Sequence, residues 1–401
     1  MVKSNIIKSL NLNINKMNKT IKKILREGLI CESRIKTDMY VPEDILKIAN
    51  VFKQNGFKLY IVGGAVRDFL LNKKIKDYDL ATDAVPDKVE EMMANAGLRT
   101  LPTGKAFGVI NVFTDQGEYE IATFREDLSG GRRPDAVSFT NIEGDVKRRD
   151  LTINALFYDI DTHEVVDLVG GVNDLKKGIV RTVGVAEDRF GEDRLRILRA
   201  IRFAGRFGSQ LDPTTDAALQ KDASLEGISG ERIRDEFLKG IASAKSVKEF
   251  LKMIDKYNLF NWVFNGLSVD KKFIESQDPI LVLATLLKNN SLDSLGKKLN
   301  GLKYSADEVK AITFLVALLK LSPETAVTLK RAQKHSGVTP EQMKEFGRIE
   351  GIDSKMLDAF IKFELSVSGP ELMDKMNLKP GPELGQAIQK VETDNFKKLL
   401  G

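Results

Sequence analysis

Two apolar spacings divide the chain. Over residues 41–182 short alternating runs are mixed with helical spacing, whereas beyond about Asp188 the apolar positions recur at helical intervals only. The first stretch predicts an amphipathic helix over 44–54 closed by Asn55-Gly56, a strand over 58–62, and a helix opened by Gly63-Gly64 that runs through Leu71. A strand over 78–81 follows, then a helix over 86–96 started by Pro86 and ended by Gly97. Strands over 107–113 and 118–125, joined by the turn Asp115-Gln116-Gly117, are expected to be neighbours, with further short strands over 136–140 and 155–159. After about Asp188 the strands are expected to stop, and helix follows helix to Gly401 without an internal repeat. The fold class is α/β followed by all-α: an N-terminal head with a small mixed sheet, then a long helical portion.

Composition narrows the chemistry. A chain of 401 residues suggests two to four domains, and 42% hydrophobic with 30% charged residues is enough to build their cores. The longest apolar runs, such as 279–287, fall well short of the roughly 20 residues that span a bilayer, so no membrane partner is expected. The single cysteine, Cys31, excludes an intramolecular disulfide framework, and two histidines, His163 and His335, argue against a histidine metal site. Catalysis must therefore rest on carboxylates, Lys and Arg. The net charge of +5 is unevenly spread: residues 1–38 hold nine Lys/Arg against three Asp/Glu, which leaves the remainder near neutral. These residues read as a basic, partly helical extension able to contact RNA phosphates. The first 24 residues lack the apolar core of a secretory signal, and a cytoplasmic location is expected; an organelle presequence is the alternative, with Arg only at Arg26 and Arg34 among residues 1–38.

Three constellations suggest a phosphate-handling site. Gly63-Gly64 at a strand-to-helix junction lets backbone approach a ligand closely, with Arg67 one turn on and able to fork onto a phosphate. Asp77 and Asp79, at i and i+2 of a predicted strand, share a face and suit a hard cation such as Mg²⁺ that also binds substrate phosphates. Glu118 and Glu120 share a face of the neighbouring strand, and Glu120, deeper in it, is expected to complete the cluster. The chemistry implied is two-metal nucleotidyl transfer, with Asp77, Asp79 and Glu120 catalytic and Asp77 and Asp79 as metal ligands.

These residues resemble a known family. Gly63-Gly64-x-x-Arg67-Asp68 with Asp77-x-Asp79 is similar to the first motif of class II tRNA nucleotidyltransferases and bacterial poly(A) polymerases. The run from Arg148 to Ala155 resembles the second motif, the segment from Asp174 to Arg181 a third, hinge-like one, Glu192-Asp193-x-x-Arg196 with Arg199 and Arg202 the fourth, and Ile228-Ser229-x-Glu231-Arg232 the fifth. The resemblance implies a polymerase beta-like head over 39–188, a base-reading neck over 189–245, a helical body over 246–330 and a tRNA-holding tail over 331–401. Arg149 is suited to a triphosphate, and Asp150 and Asn154 to a ribose hydroxyl. Asp193 and Arg196, spaced i, i+3 on a predicted helix, offer an acceptor and a donor that match cytosine and adenine but oppose guanine and uracil. Arg199 and Arg202 are implied nucleotide contacts.

Within the family the chain looks most like a CCA-adding enzyme, using CTP, ATP and Mg²⁺ on tRNA. The stretch 101–109 resembles its Thr-Gly-x-x-His-Gly segment with Phe107 in place of His, and 125–134 resembles its loop for switching from C to A. Poly(A) polymerase, partial addition of CCA, and a non-catalytic RNA-binding protein are the alternatives. No phosphohydrolase domain and no protein partner are expected. Trp262 and Cys31 read as core packing and an incidental thiol.

Overall fold

The computed structural model describes residues 33–127 and 137–401. Most of the basic extension, Cys31, and residues 128–134 of the 125–134 loop lie outside the described residues. The chain divides into two compact units, Met1–Glu226 and Gly227–Gly401.

The first unit is built on an eight-stranded sheet. Its strands are β1 (Ser33–Lys36), β2 (Leu59–Val62), β3 (Asp79–Thr82), β4 (Arg99–Gly104), β5 (Val109–Phe113), β6 (Glu118–Thr123), β9 (Leu156–Asp159) and β10 (Glu164–Asp167). Between β6 and β9, β7 (Arg125–Asp127) and β8 (Val137–Phe139) form a separate antiparallel ribbon. The spatial order is β1-β10-β9-β2-β3-β6-β5-β4, antiparallel except for the β3–β6 pair. Helices α1 (Glu43–Gln54) and α3 (Pro86–Asn95) pack Ile45, Ile48, Phe52, Val89 and Met93 against one face, under Ile61, Leu80, Ile110 and Ile121. The opposite face carries Tyr60, Val62, Ala81 and Phe157. Alternation along β3 and β6 places Asp79 and Glu120 on this second face, away from α1 and α3. The short α2 (Gly64–Leu70) follows β2.

Several expectations need correction. Strand β1 lies inside the stretch read as extension, so the sheet begins at Ser33. Strands β4 and β10 were not anticipated. Phe107 closes a 3-10 turn, Lys105–Phe107, because Gly108 adopts φ 76° and restarts the chain as β5. The strand expected over 118–125 is two, since Phe124 leaves the β6–β5 ladder and donates its N–H to the Thr82 carbonyl. One strand also lies beyond Asp188: β12 (Gln210–Leu211), which pairs in parallel with β11 (Ile179–Val180).

Helices α4 (Ile142–Arg148), α5 (Gly171–Lys177), α6 (Ala186–Glu192), α7 (Leu195–Phe207) and α8 (Pro213–Lys221) complete the first unit. Gly208, left-handed at φ 62°, ends α7 and turns the chain back along β11. Arg181, just after β11, bridges two carboxylates: it donates to Asp174 Oδ2 at 3.0 Å and pairs with Asp212 Oδ1 at 2.6 Å. Asp174 also accepts from Thr152 Oγ1 at 2.7 Å, and Asp212 caps α8 through the Thr214 and Thr215 N–H groups. The segment that sequence resemblance marks as a hinge is thus a three-residue ionic clasp.

The second unit, as described, is helical. Its helix starts are chemical as well as patterned: Ser229, Ser246, Asp278, Ser291 and Asp353 each accept a backbone N–H at a cap, and Ser305 with Glu308 and Thr339 with Gln342 form capping boxes. A cluster of Phe237, Phe250, Phe260 and Phe264 sits in its core. Trp262, expected in the core, is 37% exposed. Among the described residues no helix is long and apolar enough to cross a membrane.

Removing Arg181 leaves Asp174 and Asp212 as buried like charges. Arg181→Ala should lower unfolding free energy by about 2–3 kcal/mol, less than a fully buried pair costs because Arg181 is partly exposed. Adding Asp174→Asn should restore part of the loss. Chemical denaturation of the single and double variants checks both.

Candidate active site

The β2–β3 register carries the site. Val62, the last residue of β2, pairs with Asp79 on one side and Phe157 on the other, and the chain then turns at Gly63. Gly63 has φ 66°, and an added Cβ would stand 3.5 Å from the Asn154 carbonyl and 3.6 Å from Arg149 Nη1. Both are ordinary contact distances, so it is the positive φ that calls for glycine here. The Arg149 guanidinium lies 4.6 Å from the Phe157 ring centre and interacts electrostatically with Asp79.

Asp77 is not on β3, as expected from the sequence, but in the segment before it. The ladder starts at Val62–Asp79, and β2 offers nothing further for Asp77 to pair with. The two carboxylates are nevertheless close enough to repel. Asp79 is exposed to solvent at the start of β3, yet desolvation by the protein crowded around it raises its carboxyl above its ordinary range; Arg149 opposes this and Asp77 adds to it. Asp77, Asp79, Glu118 and Glu120 line one open cavity of about 580 Å³ with Pro42, Lys76 and Tyr119. Glu118 also accepts from Asn111 Nδ2. Among the described residues, however, no three carboxylate, His or Cys groups converge as a metal cluster, so Glu120 shares the cavity without completing a three-ligand set.

Behind this cavity the expected nucleotide residues form a buried network. Arg67, 4% exposed, donates to Asp68 Oδ1 at 2.9 Å and to Asn154 Oδ1, and its guanidinium lies 5.0 Å from the Phe203 ring centre. Its donors are turned to protein partners here, as are those of Arg149 to Asp145 and to the Asn154 carbonyl. Asn154 donates to Asp150 Oδ1 at 3.3 Å, and Asp150 Oδ2 accepts from Arg199 Nε at 2.7 Å. Burial opposes ionisation of Asp150, but Arg199, Asn154 and the Leu151 N–H outweigh it and hold the carboxyl below its usual range. Arg206 reaches Asp68 Oδ2 at 3.1 Å. Arg202, 8% exposed, lies 4.1 Å from the Phe203 ring centre.

Asp193 and Arg196 are close, but not on one helix. Asp193 is extended, at φ −148°, between α6 and α7, and its Oδ1 accepts the Leu195 N–H at 3.1 Å. Arg196, in α7, pairs with Glu192 and donates through Nη2 to the Arg148 carbonyl at 2.8 Å. Sequence reasoning missed Asp145, whose i, i+3 and i, i+4 spacing to Arg148 and Arg149 was a signal that could have found it, and the Arg181 clasp, whose Asp212 only the fold brings near.

Known proteins match this architecture. A family model described as the poly A polymerase head domain matches residues 59–181, and one described as a probable RNA and SrmB-binding site of polymerase A matches 208–270. The CCA-adding enzyme of Streptococcus agalactiae serotype V is 32% identical over 88% of this chain and 93% of its own length; that of Streptococcus thermophilus is 33% identical over 88% and 93%. Among solved structures, the Bacillus stearothermophilus CCA-adding enzyme in complex with CTP matches with TM-score 0.66 and 26% identity, covering 90% of this chain and 94% of that one. The Thermotoga maritima CCA-adding enzyme complexed with tRNA shares the fold, with TM-score 0.65 and 22% identity over 90% and 95%. The head and its cavity thus define a nucleotidyltransferase of the poly A polymerase type. The chain belongs to the CCA-adding enzyme family.

The raised Asp79 carboxyl has a sign that can be checked. Its protonated form is favoured by folding, so its stabilising contribution is present below the unfolded carboxylate range and is lost as pH rises through the folded value. At pH 7 the ionised group is a burden. Asp79→Asn should melt above wild type at pH 7, with the difference closing as pH falls below the ordinary value of 3.8. A pH series of thermal melts checks this.

Proposed function

We propose that this protein adds C, C and A to the 3′ end of tRNA from CTP and ATP, releasing pyrophosphate. The observation that carries the reading is the register of β2 with β3, which sets Asp79 beside the Gly63 turn and Arg149. A triphosphate laid against Arg149 would bring its α-phosphorus to the two aspartates, and a growing RNA end would enter over the open cavity.

Asp77 and Asp79 fit a divalent cation: two hard oxygen donors repel each other at an open cavity, and substrate phosphates can supply the remaining ligands. Bound there, Mg²⁺ would neutralise the triphosphate and ease ionisation of the attacking hydroxyl. Glu120 is assigned to the cavity wall, where it can act on the incoming RNA end. Asp150 and Asn154, fixed by Arg199 and Arg67, support a ribose contact. Gly63 and Gly64 admit the phosphates. Asp193 and Arg196 would read the base: the carboxylate accepts the amino group of C or A and the guanidinium donates to the ring nitrogen. Arg199 and Arg202 lie further along the same helix, Arg202 as a buried support for the stack on Phe203. The helical second unit would hold tRNA, and a cytoplasmic site of action suits this work.

The decisive experiment incubates the protein with tRNA lacking its 3′ CCA and with each labelled nucleotide, separately and together. Ordered incorporation of two C and one A supports the reading; a run of A alone would instead make it a poly(A) polymerase. Asp77→Ala should abolish incorporation while leaving tRNA affinity within about twofold, because this group acts on metal rather than RNA. Asp193→Ala should reduce CTP and ATP use roughly ten- to a hundredfold and relax selection against UTP and GTP, as loss of a charged hydrogen bond to the base predicts. Single-nucleotide incorporation kinetics measure both effects.

A further inference from the structure

Asp145 has no part in the reaction proposed above, yet it joins the two ends of the proposed nucleotide site. It lies on α4 and is 1% exposed. Arg149 gives its Oδ2 two hydrogen bonds, from Nε at 3.0 Å and Nη2 at 2.9 Å. Arg148 gives its Oδ1 a bond from Nε at 2.8 Å, and the Arg125 N–H approaches the same oxygen at 3.4 Å. Burial alone would oppose a charge here, but the two guanidinium groups outweigh it and keep the carboxylate ionised.

The two arginines lead in different directions. Arg149 continues to the Gly63 turn and to Asp79. The carbonyl of Arg148 receives Arg196 Nη2 at 2.8 Å, and the Lys147 carbonyl receives Arg189 Nη1, so the last turn of α4 is tied to the segment that carries Asp193. A shift of this turn would move the triphosphate contact and the base contact together.

We propose that Asp145 is a positioning residue that sets the spacing between the triphosphate end and the base-reading end of the site. One buried carboxylate thereby governs both nucleotide affinity and base choice. The inference rests on the CTP and ATP reading of this site.

The test uses the full-length protein. Asp145→Asn keeps the side-chain volume and one acceptor but removes the charge. Two quantities are measured: the affinity for inorganic tripolyphosphate, and the ratio of kcat/KM for CTP to that for UTP on tRNA lacking CCA. Both should fall roughly tenfold in this variant, as expected for weakened charge-assisted hydrogen bonds, with the effect on KM for CTP exceeding that on kcat. Arg149→Ala should lower tripolyphosphate affinity and leave the CTP-to-UTP ratio at its wild-type value. Asp145→Glu, which restores the charge, should recover part of the tripolyphosphate affinity. Wild-type values of both quantities in Asp145→Asn overturn the inference, and so does an affinity loss with unchanged discrimination, which would reduce Asp145 to an anchor for Arg149. If Asp145→Asn does not fold by thermal scan, Arg148→Met decides: the Asp145–Arg149 pair survives, so discrimination must fall while tripolyphosphate affinity holds, and unchanged discrimination overturns the inference. A wild-type protein that uses UTP as readily as CTP overturns the functional reading instead.

Discussion

The relay of charge from Arg206 through Asp68, Arg67, Asn154 and Asp150 to Arg199 holds the first unit together around its cavity. It begins and ends on α7, and crosses α2 and the turn after α4 on the way. Each buried carboxylate in it has at least one cationic partner, and each buried guanidinium has an acceptor, which is the condition for charges to be tolerated out of water. Phe203 and Phe207, stacked with 6.0 Å between centres, give Arg67, Arg199, Arg202 and Arg206 an aromatic surface to lie against. Removing one member would leave its neighbour charged and unsatisfied, so the relay behaves as a unit rather than as a set of separate pairs.

This arrangement separates support from contact. The groups nearest the open cavity, Asp77 and Asp79, include a carboxyl held above its ordinary range, while Asp150 behind them is held below its range. The same residue type is thus set for two tasks by environment alone. A carboxylate at the open cavity that still lacks enough positive charge is ready to receive it from a ligand; one already matched to Arg199 serves as a fixed point.

Much of this was legible in the sequence where the cause is local. The Gly63-Gly64 turn, the strand β2 before it, and the helix over Pro86–Asn95 with its starting proline follow from short-range chemistry. Asp193 and Arg196 were rightly brought near each other, but Gly191, Glu192 and Asp193 carry no strong helix-break signal, and the extended Asp193 between two helices escaped notice. The packing of Arg67 was not legible, because its position one turn into a helix says nothing of Phe203 and Phe207, about 140 residues away, whose rings it lies against. The Arg181 clasp depends on Asp212, a partner that arrives only after the chain has closed, whereas the Asp145 pairs follow helical spacing and were overlooked. Strand β4 was hidden by Pro102, which argues against a strand interior and is tolerated only where a ladder bond can be spared.

That proline has a further consequence. As described, β4 is an outer strand of the eight-stranded sheet, a place where unpaired backbone groups invite a second chain to add a strand. Its register with β5 breaks between Leu101 and Gly104, and Pro102 offers no N–H to a newcomer. Arg99 stands at its start, over the Phe113 ring, and Lys105 follows its end. The interruption that made the strand hard to read also blunts its edge, leaving an added strand fewer backbone groups in register to pair with.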